Sequence, residues 1–135
     1  MPDKIYPCIE VKVGNTSLNG ITRASYNYSL EYIQVDADPC ASGFPVVHGL
    51  KSKDFTIDFT TYNVELVDAR MEGSPSSATV TVIHKQPGTG GGVVTVEASN
   101  MLPTGVRGEG ARGDAATAEF SYRATADTTI TVTVA

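Results

Sequence analysis

With 135 residues and a formal net charge of −5, the chain is one acidic domain by length. Its charge argues against a nucleic-acid binder, because such proteins draw affinity from Lys and Arg that release counterions. No stretch nears the ~20 apolar residues of a membrane helix, and 1–6 opens no apolar signal segment, so a soluble, cytoplasmically made protein is expected.

The first predicted element is a short strand over 8–13, with Val11 and Val13 on one face and a turn at Gly14 and Asn15. A bend at 18–20 leads into a long strand, 21–35. There Ala24, Tyr26, Tyr28, Leu30 and Tyr32 alternate with Ser25, Asn27, Ser29 and Glu31. Successive strand side chains face opposite ways, so such a run has one apolar and one polar face. At 15 residues it far exceeds the usual strand of ~5–6, which implies a bend, a bulge or service to two sheets. Residues 36–53 hold Pro39, Gly43, Pro45 and Gly49 among apolar Phe44, Val46, Val47 and Leu50, and read as a long loop. Apolar residues in such a loop imply cover, by a partner or by the chain's own barrel end.

A strand over 53–60 follows, in which Phe55, Ile57 and Phe59 alternate with Asp54, Thr56, Asp58 and Thr60. Residues 62–71 form the one helix candidate: Tyr62, Leu66, Val67, Arg70 and Met71 fall at helical spacing, with a cap at Thr61 or Asn63 and a stop at Gly73. Strands are expected over 77–85 and 93–98, joined by a turn at 88–92. A segment over 100–106, a Gly-rich loop over 107–114, and strands over 116–125 and 128–134 complete the chain. Ala118, Phe120, Tyr122 and Ala124 alternate with Thr117, Glu119, Ser121 and Arg123. The reading is all-β with one short helix, roughly seven strands in mainly antiparallel sheets, and one domain over 1–135.

Apparent motifs reduce to structure. The 88–92 glycines lack the Lys-Ser or Lys-Thr and the helix of a phosphate loop, and a strand follows them. Arg112, Gly113 and Asp114 spell an adhesion tripeptide inside a charged turn. His48 and His84 sit in different elements, and His84 shares the Val80 and Val82 face as a core-edge residue. No nucleophile has a base beside it. Asp36 and Asp38 lack the ligand count of a calcium loop, and Asp54 with Asp58 reads as a solvated acidic face rather than a catalytic pair. Cys8 and Cys40 have no CxxC or His at ligand spacing. They form free thiols or one disulfide, and a domain of this size needs no bridge. No catalytic residue, cofactor or metal is expected.

The order of hairpin, long strand, loop, strand, helix and antiparallel strands resembles tail tube proteins of tailed bacteriophages and Hcp-like tube proteins of injection systems. The segments that carry it are 20–28, 93–100 and 116–124. The resemblance implies a small β-barrel or sandwich flanked by one helix. Six copies would join their sheets into a ring, and rings would stack into a tube through which DNA or an effector passes without specific binding. It further implies that the 36–53 loop, with Phe44, Pro45, Val46, Val47 and Leu50, reaches the neighbouring ring. Glu31, Asp54, Asp58 and Glu119 would be lumen-facing acids. Further partners would be tape-measure, sheath or baseplate proteins, with no membrane, and the location a virion tail. The chain is short for a tube protein and the 107–114 loop has no counterpart, which brings in a terminator or distal ring protein as an alternative. A second alternative is a carbohydrate-binding or adhesin-type β-sandwich, for which Tyr6, Phe44 and Tyr62 are the candidate aromatics.

Overall fold

The computed structural model describes residues 6–35, 43, 46–64, 76–87 and 92–135. Eight strands run through them: β1 (Cys8–Val13), β2 (Thr16–Ser17), β3 (Ile21–Val35), β4 (Val46–Thr61), β5 (Ala78–Lys85), β6 (Val93–Glu109), β7 (Thr117–Arg123) and β8 (Ile130–Val134). Every pairing is antiparallel, in the order β2-β1-β5-β6-β7-β4-β3, with β8 also on β6. Valine, isoleucine, threonine and aromatic residues dominate the strands, and they suit a pleated, half-buried surface.

Two sheets are made continuous by one strand. The first half of β6 pairs with β5 and β8, and its second half, from Leu102, pairs with β7. The switch falls at Asn100, whose φ of 53° is left-handed, a conformation asparagine tolerates better than most residues. The turn between β7 and β8 is tied to it: Thr125 and Thr128 hydroxyls donate to the Asn100 carbonyl at 3.2 and 3.1 Å, and Asn100 Nδ2 donates to the Asp127 carbonyl at 3.2 Å.

The inward faces of both sheets form one core. Val11, Val13, Val80, Val82, Val96 and Ala98 meet Phe55, Ile57, Phe59, Ala118, Phe120 and Tyr122, with Met101 between them. Phe59 stacks on Phe120 and Tyr122 with ring centroids 5.3 and 6.0 Å apart. Thr61, fully buried, keeps its hydroxyl satisfied by donating to the Asn19 carbonyl at 2.7 Å and accepting from the Asn63 N–H at 3.0 Å.

The alternation of β3 predicts its limits and faces correctly. Three expectations change. First, β4 starts at Val46, so 46–53 is strand rather than loop. Together with β3 it builds a long hairpin whose outer half runs past the last β7 partner, Arg123. Second, 93–98, 100–106 and the start of the expected Gly-rich loop are a single strand, β6. Third, among the described residues there is no helix. Residues 62–64 form a turn, and the rest of the 62–71 helix candidate lies outside the described residues. No helix among the described residues is long and apolar enough to cross a membrane.

Candidate functional site

The polar face of the sheet β3-β4-β7-β6 collects the residues singled out in the sequence. In β4 the buried Phe55, Ile57 and Phe59 fix one face inward, so Asp54, Thr56, Asp58 and Thr60 face out. Strand register then places the neighbours in rows. Arg23, Thr60, Glu119 and Arg107 form one row, Ser25, Asp58, Ser121 and Gly105 the next, and Asn27, Thr56, Arg123 and Leu102 a third. Ser29 stands beside Asp54 and Glu31 beside Ser52. The four acids Glu31, Asp54, Asp58 and Glu119 therefore do share a face.

That face is not purely acidic. Arg123 Nε donates to Asp54 Oδ1 at 3.1 Å, and Lys51 Nζ lies 3.3 Å from Glu31 Oε1, with the Ser52 hydroxyl donating to Oε2 at 3.2 Å. Arg107 stands beside Glu119, Arg23 lies one strand further on beyond Thr60, and Glu109 pairs with Thr117 on the same side. Exposed pairs of this kind add little stability, but they neutralise charge locally. The cations had a visible signal: Arg23 has the parity of Ser25 and Asn27, and Arg123 that of Glu119 and Ser121. At the end of the sheet, Arg23, Arg107, Glu109 and Glu119 line an open hollow of about 290 Å³ with three threonines. It lacks the apolar lining of a small-molecule site.

The same sheet has unpaired edges. No described strand pairs with the outer side of β3, nor with the second side of β6 beyond Leu102. Four strands alternate in direction between these edges, so β6 of one copy beside β3 of another gives an antiparallel junction.

Of the expected stacking residues, Phe44 and Pro45 lie outside the described residues. Val46 and Val47 pair with Val35 and Gln34 in β4, and Leu50 pairs with Tyr32. Beyond the core, the inner face of this hairpin carries Tyr28, Leu30, Tyr32 and Leu50, each about half exposed. Of the three candidate aromatics of a carbohydrate-binding face, the two that are described lie apart. Tyr6 precedes β1 near Lys85, and Tyr62 follows β4 at the opposite end; Phe44 is outside the described residues.

The remaining motifs read structurally. Gln86 closes the β5–β6 connection, its carboxamide oxygen accepting from the Gly92 N–H at 2.7 Å; glycines 88–91 lie outside the described residues. Asp114 N–H donates to the Ala111 carbonyl at 3.1 Å, which folds the Arg-Gly-Asp run into a tight turn. His84 sits at the core edge, its Nε2 3.1 Å from the Tyr26 hydroxyl, a link from β5 to β3. The His48 side chain, Asp36, Asp38 and Cys40 are outside what is described, and Cys8 is an exposed free thiol. Among the described residues no group of three or more His, Cys, Asp or Glu could hold a metal ion. Glu10, on the other sheet, bonds to Lys85 and Ser17; chiefly the Lys85 bond, then the Ser17 bond, lowers its pKa.

Compared by sequence, the chain matches no family model and no curated protein. Compared by structure, it is similar to a chain of the sheath–tube complex of an extracellular contractile injection system (PVC) in its extended state. The TM-score is 0.67 at 19% identity, covering 99% of this chain and 93% of that one. It is similar to a chain of the tube-terminating cap of the anti-feeding prophage, with TM-score 0.65, 16% identity and coverage of 100% and 95%. A chain of the native gene transfer agent virion gives TM-score 0.63, 13% identity and coverage of 91% and 95%. The fold is thus the tail-tube-like fold that the sequence resemblance implied: an antiparallel all-β domain matched nearly end to end by chains of tail and injection-tube assemblies.

Proposed function

We propose that this protein is a structural, non-enzymatic tail component that self-assembles into rings which stack into a tube, the rings hexameric by analogy with the C6-symmetric tail of the gene transfer agent, a chain of which has the same fold. The observation that carries this reading is the four-stranded sheet whose edges at β3 and β6 no described strand pairs. Repeating an even, antiparallel sheet around a ring pairs every edge and removes the exposed ladder that a lone sheet must otherwise protect. The polar face bearing Glu31, Asp54, Asp58 and Glu119 would then line a channel that DNA passes without binding. The outer hairpin, including Val46, Val47 and Leu50 and the adjoining Phe44 and Pro45, would meet the next ring. Sheath, tape-measure and baseplate proteins are the further partners of such a tube, in a virion or injection tail.

A second reading, a terminator or cap ring, draws on the cap likeness above and on a chain of the PVC sheath/tube terminator, with TM-score 0.64 at 17% identity. Negative-stain electron microscopy at high protein concentration separates the two. Long tubes with a central channel are expected for a tube subunit, single rings for a terminator, and uniformly small particles at every concentration count against both.

A further inference from the structure

Because every strand pairing is antiparallel, the register defines two ends of the molecule. Residues 30–35 and 46–53 mark one, and the turn after β4 with the start of β3 marks the other. Exposed apolar side chains stand at both. At the hairpin end Tyr28, Leu30, Tyr32 and Leu50 are 51%, 43%, 44% and 49% exposed; at the opposite end Tyr62 and Val64 are 56% and 39% exposed. The hairpin residues lie on the core-facing side of β3 and β4, beyond Tyr26, whose hydroxyl meets His84 of the facing sheet.

The opposite patch is tied to the sheet by hydrogen bonds. Tyr62 N–H donates to the Gly20 carbonyl at 2.9 Å, Val64 N–H to the Tyr62 carbonyl at 3.0 Å, and the buried Thr61 hydroxyl accepts from Asn63 N–H at 3.0 Å. A hydrogen-bonded turn that presents an aromatic and an aliphatic side chain loses less entropy on binding than a free segment. An exposed apolar turn at one end and a half-exposed, largely apolar sheet face at the other, where Lys53 stands opposite Leu30, form a heterologous pair, and a heterologous contact that does not close on itself propagates as a filament.

We infer that the Tyr62–Val64 turn of one copy seats against the Tyr28, Leu30, Tyr32 and Leu50 face of the hairpin of a second copy. This deepens the tube reading and rests on it. Two half-exposed tyrosines, each with roughly 100 Å² of ring surface outside, and two leucines fall short of the ~800 Å² per partner of a stable interface. One contact is therefore weak, and it becomes effective when several act together between two rings.

The test uses the full chain with Cys8→Ser and Cys40→Ser, carrying either Leu50→Cys or Val64→Cys, the two variants bearing different tags. Both positions are exposed, and circular dichroism of each variant checks the fold. After equal mixing and treatment with a short bis-maleimide, mixed dimers are expected to exceed either homodimer at least tenfold. A dominant Leu50→Cys homodimer, meaning hairpin faces hairpin, overturns the proposal, as does the absence of cross-links at concentrations where particles assemble. If any cysteine variant misfolds, Tyr62→Ser in the unsubstituted chain serves instead. It should shift sedimentation towards smaller species, and an unchanged profile overturns the contact. The two readings fail separately: tubes without mixed dimers sink this contact alone, whereas mixed dimers without rings or tubes sink the tube reading and leave the contact standing.

Discussion

Glu10 shows how single residues tune this fold. Its carboxylate faces Lys85 across β1 and β5 and takes a hydrogen bond from Ser17 of β2, so it ties three strands of one sheet. These bonds favour the charged form and lower its pKa. The folded state therefore holds this proton less tightly than the unfolded chain. The stability gained is full above the unfolded pKa, near the usual ~4.3 of glutamate, and is lost as pH falls through the lower folded value. Glu10→Gln should cost about 0.5–1 kcal/mol near pH 7, as for a partly exposed ion pair. The difference from the parent should vanish at pH values below both pKa values. Urea unfolding of both proteins across pH checks this, and a difference that persists in strong acid means that packing rather than charge is responsible.

At the scale of elements, the hairpin shows what was legible and what was not. The 15-residue alternation of β3 is visible in the sequence because one face of its first half lies on the core and the other on water. The first half of β4 is legible for the same reason, through Phe55, Ile57 and Phe59. The outer half of β4 is not, because no core selects its residues: 46–53 includes Gly49, Lys51, Ser52 and Lys53, and register shifts between Glu31 and Tyr32 and between Ile33 and Gln34 break the period. β6 does not read as one strand in the sequence, since Asn100 and Pro103 carry turn chemistry; in the fold they mark the switch from one sheet to the other. Of the candidate site, parity puts each acid, like Arg23 and Arg123, on the polar face of its own strand. Their gathering on one sheet, and which acid meets which cation, does not follow from parity, since both depend on which strands lie side by side. Deleting 42–50 removes the far pairs and leaves Phe55, Ile57 and Phe59 in place. The variant should unfold as cooperatively as the parent yet form no stacked particles, as followed by calorimetry and electron microscopy. Tubes of normal length would move the stacking contact elsewhere.

For the whole molecule, the question is whether the polar sheet face becomes the wall of a channel, and charge answers it better than shape. The chain's net charge of −5 is not concentrated on that face, where Asp54 is matched by Arg123 and Glu31 by Lys51. Asp58 is the informative position. Its row neighbours are Ser25 and Ser121, so Asp58→Lys changes the wall by two charges per copy without breaking an ion pair, whereas Asp54→Lys would also release Arg123. Repeated around a ring, the added lysines would face each other across a confined space, where like charges on a concave wall reinforce the local potential. Assembled Asp58→Lys particles should therefore retain short DNA at low salt and release it steeply as salt rises, as expected for phosphate contacts that displace counterions. Asp114→Lys is the matched control: it carries the same charge change on the exposed turn after β6, outside the polar rows. If both variants retain DNA equally, the effect is one of net charge and Asp58 does not line a channel. If only Asp58→Lys does, the polar face of β3-β4-β7-β6 is the inner wall.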